Sequence, residues 1–185
     1  ADTNENVLSE VLADAGVPNL KITQTERYPH LTYYFNGGDD IQQQNEHHIL
    51  IPTPRNETVE NRPESQSFKI TDKALRTIEA NGRGVFVVNL PAADLAAETG
   101  LIGRTVEAIQ FVDTCLGGIV EKIREAGGIA LITSSHGNCE EMSHADTGEP
   151  SYMTTPNAVP FHFVSDSVNG MTLRSDGSLA DIAPT

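Results

Sequence analysis

Two apolar runs and the helix between them restrict this chain more than any other feature. Gly84 to Asn89 (GVFVVN) and Ile129 to Thr133 (IALIT) carry no charge and no polar alternation, the pattern of strands covered on both faces. Between them Ile109, Val112, Leu116, Ile119 and Ile123 recur three and four residues apart, one stripe of a helix that stops at Ala126-Gly127-Gly128. Strand, long helix, strand is a βαβ unit with a right-handed crossover, so the fold class is α/β, a mostly parallel sheet sandwiched by helices. Chemistry in open α/β sheets gathers beyond the carboxyl ends of the strands. That directs attention to the loops Leu90 to Gly100 and Ser134 to Met142, expected to converge if the two strands are neighbours.

The remaining segments read around this unit. Asn6 to Gly16 has the spacing of a short amphipathic helix. Leu20 to Thr25, His30 to Phe35 and His47 to Pro52 favour strands, with a turn at Asn36-Gly37-Gly38. Prolines 52, 54 and 63 predict a long surface loop from Thr53 to Ser67. Lys69 to Ala80 predicts a helix capped by Thr71 or Asp72, Ala158 to Val164 a third strand of this half, and Ala180 to Thr185 a helix entrance. At 185 residues, a single domain over 1–185 is expected.

Composition removes whole classes of function. Lys+Arg 12 against Asp+Glu 26 gives a net charge of −14, which repels phosphate backbones and anionic headgroups, so no nucleic acid and no membrane surface is expected as partner. No apolar run approaches the roughly 20 residues of a bilayer span. The opening residues lack the basic and apolar regions of a secretory signal, and Cys115 and Cys139 lack CxxC spacing, so a reducing, cytoplasmic setting is expected. Cys115 falls on the apolar stripe of the long helix and reads as a buried thiol.

Chemistry-bearing residues fall into a few groups. Asp94 and Glu98 after one strand and Ser135 and His136 after the other offer carboxylates, a hydroxyl and an imidazole, suited to a divalent cation or to acid–base work, or simply to a solvated loop. Cys139, Glu140, Glu141, His144 and Asp146 match no zinc spacing and read as an acidic solvated loop. His47 and His48 face opposite ways on a strand, so one alone can meet any site. Tyr33, Tyr34 and Phe35, without interleaved basic residues, read as packing. Arg27 is a candidate anion contact, or one half of a surface ion pair. Ser134-Ser135-His136 lacks the glycines of a nucleophile elbow.

Several strings together resemble one family. Thr25 to Gly38 (TERYPHLTYYFNGG) is similar to the TEKY-x-HVTFFFNGG signature of cofactor-independent phosphoglycerate mutases. Ile51-Pro52-Thr53-Pro54-Arg55, Ala126 to Asn138, Val159-Pro160-Phe161 and Leu179 to Thr185 resemble later blocks of that family in the same order. The resemblance implies an alkaline-phosphatase-like fold and the interconversion of 2- and 3-phosphoglycerate through a phosphoserine with two divalent metals. It covers only the part of the phosphatase domain after the inserted transferase domain. The family's first strands, its nucleophilic serine and that inserted domain have no counterpart here.

Carried over residue by residue, the metal positions fall on Asp94, Glu98, Ser135, His136 and Thr154, of which Asp94 and His136 alone match the family's residue types. The active-site lysine falls on Arg27, which keeps the charge and could hold a phosphate or carboxylate. Replacing an aspartate and two histidines by Ser135, Glu98 and Thr154 leaves too few donors to neutralise two close cations. The expectation is a degenerate homologue, inactive alone and acting by binding a phosphorylated metabolite or a protein partner. The alternative is a portion of an active metal-dependent mutase or phosphatase completed by another chain or upstream sequence; a third reading is a single-metal hydrolase using Asp94, Glu98 and His136. No cofactor is expected, with Mn²⁺ or Mg²⁺ the ion if any site is retained. A sheet lacking its first strands exposes an apolar edge, so a homodimer or a protein cover is expected there.

Overall fold

The computed structural model describes residues 6–53, 63–168, 170 and 172–185. β1 (Asn19–Gln24) is the centre of a three-stranded parallel sheet ordered β2-β1-β3, with β2 spanning Glu46–Ile51 and β3 spanning Val85–Val88. Every residue of β1 is buried, as a strand paired on both edges and covered on both faces must be. Its two faces are filled differently. Ile22 packs with Ile70, Ala74 and Ile78 of α3 (Pro63–Asn81) and Ile119 of α5 (Ile102–Glu125), the apolar core, each such isoleucine contributing about 1.5–3 kcal/mol.

The neighbouring residue Lys21 turns into a buried polar layer instead. Its Nζ donates to Asn36 Oδ1 at 2.7 Å and lies 2.9 Å from Glu46 Oε1. Ser9 of α1 (Leu8–Asp14) donates to Asn36 Oδ1 at 2.8 Å, and Asn19 Nδ2 donates to Ser9 at 3.1 Å. His48 Nε2 meets Glu46 Oε1, and its Nδ1 lies 2.8 Å from the Tyr28 hydroxyl. Helix α1, strands β1 and β2 and the turn at Asn36 are thus tied by one network.

Several expectations change. His30 to Phe35 is not a strand: Tyr28–Leu31 forms a short helix, α2, with Pro29 in its first turn, and Tyr34 N donates to Pro29 O while Asn36 N donates to Thr32 O. A proline near a helix start costs little, and it overrides the strand preference of the aromatics. Tyr33 and Tyr34 remain 40% and 65% exposed and pack on each other and, for Tyr34, on His30 at the surface, whereas Phe35 lies under Lys21, with Nζ 4.7 Å from its ring centre.

Helix α3 begins at Pro63, so the expected loop ends sooner, and its part over 54–62 lies outside the described residues. Thr71 and Asp72 sit inside the helix; Thr71 Oγ1 bonds back to Ser67 O at 2.8 Å instead of capping. The Leu90 to Gly100 loop contains a helix, α4 (Ala92–Ala97), whose small side chains at Ala92 and Ala96 pack against Ala108 of α5. The terminal Leu179–Asp181 forms a single 3₁₀ turn. Cys115 is buried on α5, as its place on the stripe predicts, and both cysteines are free.

The expected strand, long helix and strand are all present, but they do not form a βαβ unit within one sheet. β4 (Ala130–Thr133) does not pair with β3; it pairs antiparallel with β5 (Phe161–Val164) in a separate two-stranded sheet. Both strands expected to be buried are only partly so. No helix among the described residues is long and apolar enough to cross a membrane.

Candidate functional site

Although β3 and β4 are not paired, the loops that follow them meet. Asp94, in the first turn of α4, accepts a bond from Asn138 Nδ2 at 2.8 Å through Oδ1, and Cys139 Sγ donates to Ala93 O at 3.5 Å. Arg27, where the 3₁₀ turn Thr25–Arg27 passes into α2, reaches the same place. Its Nη2 donates to Asp94 Oδ2 at 2.7 Å and to Glu98 Oε1 at 2.5 Å. Sequence order separates these residues by about 70 positions, and the sheet brings them together at the carboxyl ends of β1 and β3.

Both carboxylates of the sequence-derived set are therefore bound to a guanidinium. Burial works against the charge of Arg27, but its bonds to Glu98 and Asp94 and their charges outweigh it and hold its pKa above the ordinary arginine value. His30, next along the chain after Pro29, feels the same cluster. Burial and the charge of Arg27 lower its pKa, with His136 adding to the decrease and Asp94 and Glu98 opposing it. His136 thus lies within electrostatic reach of the cluster, and its Nδ1 is 3.1 Å from Gly137 O.

The structure does not draw the full set together. Ser135 and Thr154 are exposed, and among the described residues no three of His, Cys, Asp and Glu converge as a metal cage. The neighbouring acidic segment has a structural occupation. Glu140 accepts from Asn138 N at 2.7 Å, from Asn157 Nδ2 at 3.0 Å and from the Thr155 hydroxyl, which holds its pKa down at about 2. Glu141 accepts from the same Asn157 amide at 3.4 Å. Gly137 pairs with Thr155 across this latch, and a Cβ at that position would push aside the Thr155 hydroxyl and the Glu140 carboxylate that bond each other there. Burial, then the charges of Asp94 and Glu140, raise the pKa of Cys139, which makes it a poor nucleophile.

Sequence reasoning missed Asn138, the residue that ties the two loops through Asp94. Its place directly after His136-Gly137 was visible, but an asparagine carries no charge or metal preference to mark it. Of the histidine pair, His48 turns inward to Glu46 and Tyr28 while His47 is exposed, as strand alternation predicts.

Comparison with known proteins fits this arrangement. A model of the metalloenzyme superfamily matches residues 1–185. The chain belongs to the metalloenzyme superfamily. It is 39% identical over 180 residues to a 2,3-bisphosphoglycerate-independent phosphoglycerate mutase of Clostridium novyi (strain NT), covering 97% of this chain and 35% of that protein. A 2,3-bisphosphoglycerate-independent phosphoglycerate mutase 2 of Methanosarcina barkeri is 41% identical over 182 residues, covering 98% and 34%. The chain therefore spans about a third of the length of the curated relatives it matches. A phosphoglycerate mutase of Leishmania mexicana, crystallised at low cobalt concentration, superposes with a TM-score of 0.84 at 24% identity over 93% of this chain and 34% of its own. That likeness establishes the fold, an α/β arrangement with a parallel sheet flanked by helices.

Proposed function

We propose that this chain is a degenerate relative of the phosphoglycerate mutases that does not interconvert 2- and 3-phosphoglycerate by itself and acts by binding. The observation that carries the reading is the Arg27 clamp. A divalent cation needs the carboxylates of Asp94 and Glu98, and one guanidinium already engages both, at 2.7 and 2.5 Å, and offsets half of their charge. Of the five positions carried over, Ser135 and Thr154 offer neutral hydroxyls, which leaves His136 as the strong donor of that set outside the clamp. The donor set therefore does not fit a pair of close dications.

The same balance bears on what is bound. Arg27 with Asp94 and Glu98 sums to one net negative charge, which disfavours a phosphorylated metabolite at Arg27. A protein partner is the better occupant of this role. The alternative, a portion of an active metal-dependent mutase or phosphatase completed by another chain, draws its support from the match to a third of its relatives' length.

Manganese titration separates these readings. The purified chain is expected to show no thermal shift with Mn²⁺ and no conversion of 2-phosphoglycerate, whereas Glu98→His/Ser135→Asp/Thr154→His should gain a shift, since an ion at about 100 times its Kd adds about 2.7 kcal/mol. Turnover by the unaltered chain, or a manganese shift comparable to the variant's, overturns the proposal. A single-metal hydrolase would show the shift in the unaltered chain and lose it in His136→Ala.

A further inference from the structure

The polar layer beside β1 holds a nucleophile with no part in the Arg27 site. Lys21 Nζ donates to Asn36 Oδ1 at 2.7 Å, so the amine of one side chain lies against the carboxamide of another. Glu46 stands at both reacting ends. Its Oε1 is 2.9 Å from Lys21 Nζ, the attacking nitrogen, and 3.5 Å from Asn36 Nδ2, the nitrogen that would leave. The Ser9 hydroxyl donates to Asn36 Oδ1 at 2.8 Å and polarises the carbonyl that the amine faces. All four residues are buried, and the Phe35 ring lies 4.7 Å from Nζ, so water is kept from the carbonyl it would otherwise attack. An amine, an amide, a carboxylate that reaches both nitrogens and an oxyanion donor are the parts of an acyl transfer. Burial also lowers the pKa of Lys21, against the bond and charge of Glu46, which eases release of its proton. For Glu46, burial pushes the pKa up but the bonds from His48 and Lys21 outweigh it, so the pair is charged most of the time and any such reaction is slow.

We propose that Lys21 and Asn36 join in an intramolecular isopeptide bond, with Glu46 as the proton carrier. Glu46 takes a proton from the Lys21 ammonium, and the freed Nζ attacks Asn36 Cγ. The carbonyl electron pair moves onto Oδ1, where the Ser9 hydroxyl holds it. As the pair returns, the Cγ–Nδ2 bond breaks: protonated Glu46 gives its proton to the leaving nitrogen and then takes one from Nζ. One C–N bond has formed and one has broken, ammonia departs, and Glu46 is left as the neutral acid. Two charges thereby disappear from a place where burial penalises them. The new bond ties β1 to the turn at Asn36 and closes a ring that contains the Thr25–Arg27 turn and α2, so the backbone carrying Arg27 is fastened covalently to the central strand.

The reaction needs no metal, partner or turnover, so its test is independent of the binding role proposed above. Intact-mass spectrometry of the purified, folded chain, incubated until the mass is constant, is expected to show the loss of one ammonia. Trypsin should then fail to cut after Lys21 and release the peptides on either side of Arg27 as one branched species joined through Lys21 and Asn36. Asn36-Gly37 can also lose ammonia by closing a succinimide on the Gly37 nitrogen. Hydroxylamine separates the two products, because it cleaves the succinimide and leaves the isopeptide bond intact. Lys21→Arg should keep the full mass. Glu46→Gln keeps the shape of the side chain but cannot carry the proton, and should slow the loss about a hundredfold. Ser9→Ala should slow it as well while leaving all three reacting side chains in place, which preserves the comparison if Glu46→Gln does not fold. A folded chain that keeps its full mass, a mass loss that hydroxylamine traces to Asn36-Gly37, or an unslowed reaction in the folded variants at Glu46 and Ser9 overturns the proposal.

Discussion

Two cationic side chains, Lys21 and Arg27, lie six residues apart and meet opposite fates. Lys21 and Glu46 have side chains 1% and 0% exposed, enclosed by Asn36, His48 and Phe35. Arg27 is 16% exposed, against 25% for Asp94 and 50% for Glu98. The first pair has no water to replace a lost partner, so it holds the fold; the second keeps water at hand, so its partners can be exchanged at little cost. Burial alone pulls the pKa of Lys21 below the ordinary lysine value despite the bond and charge of Glu46, which shows how far the first pair is removed from solvent. A relative can therefore alter the second cluster without losing the sheet.

Removing one member of each pair should expose the contrast. Glu46→Ala strands a buried ammonium and is expected to cost about 3–5 kcal/mol in urea unfolding, whereas Lys21→Met/Glu46→Leu should recover much of that loss because no charge is left buried. Ser9→Ala, at the far end of the same network, removes the bonds to Asn36 and from Asn19 and should cost about 1–2 kcal/mol. Arg27→Met should change stability by about 1 kcal/mol or less, since its partners face solvent. Equal losses for Glu46→Ala and Arg27→Met would show that the two clusters do not differ in the way their exposure indicates.

Legibility follows the same division. The apolar face of β1 and the part of the α5 stripe from Val112 to Ile123 are read from periodicity because burial selects residue type there, whereas the apolar runs at β3 and β4 overstate how far those strands are covered. The polar layer is not read this way: Lys21, inside a strand, looks like a solvent-facing residue until Glu46, 25 positions later, is placed beside it by the parallel register of β1 and β2. α2 was hidden for a different reason, since Pro29 and the turn at Asn36 decide its backbone against the local preference of Tyr33 and Tyr34. At the site, the sequence brought Arg27, Asp94 and Glu98 forward separately, the first as an anion contact or ion pair and the others as metal positions. Only the packing of α4 and the turn at Arg27 shows that they bind each other. That β3 and β4 lie in separate sheets was equally hidden from the runs themselves, because two apolar runs read the same whether or not they pair.

The smallest expected effect concerns acid. Glu46 and Glu140 both have pKa values held below the ordinary carboxylate value of 4.5, but for unlike reasons. For Glu46, burial pushes the pKa up and is outweighed by the bonds from His48 and Lys21. For Glu140, the bond from Thr155 leads and burial is a minor opposing influence, giving about 2. A carboxylate whose pKa is depressed on folding contributes stability that is present above the unfolded value and is lost as pH falls through the folded one. For Glu140 that window runs from about 4.5 down to about 2, but water screens so exposed a group, and the contribution is about 0.5 kcal/mol or less. Glu140→Gln should flatten the acid limb of an unfolding profile by that small amount, with no change near pH 7 beyond it. Glu46→Gln should reshape the same limb far more, because the carboxylate it removes is enclosed and the ammonium beside it remains. If the two variants change the acid limb equally, burial is not what distinguishes the polar layer of β1 from the latch behind the Arg27 cluster.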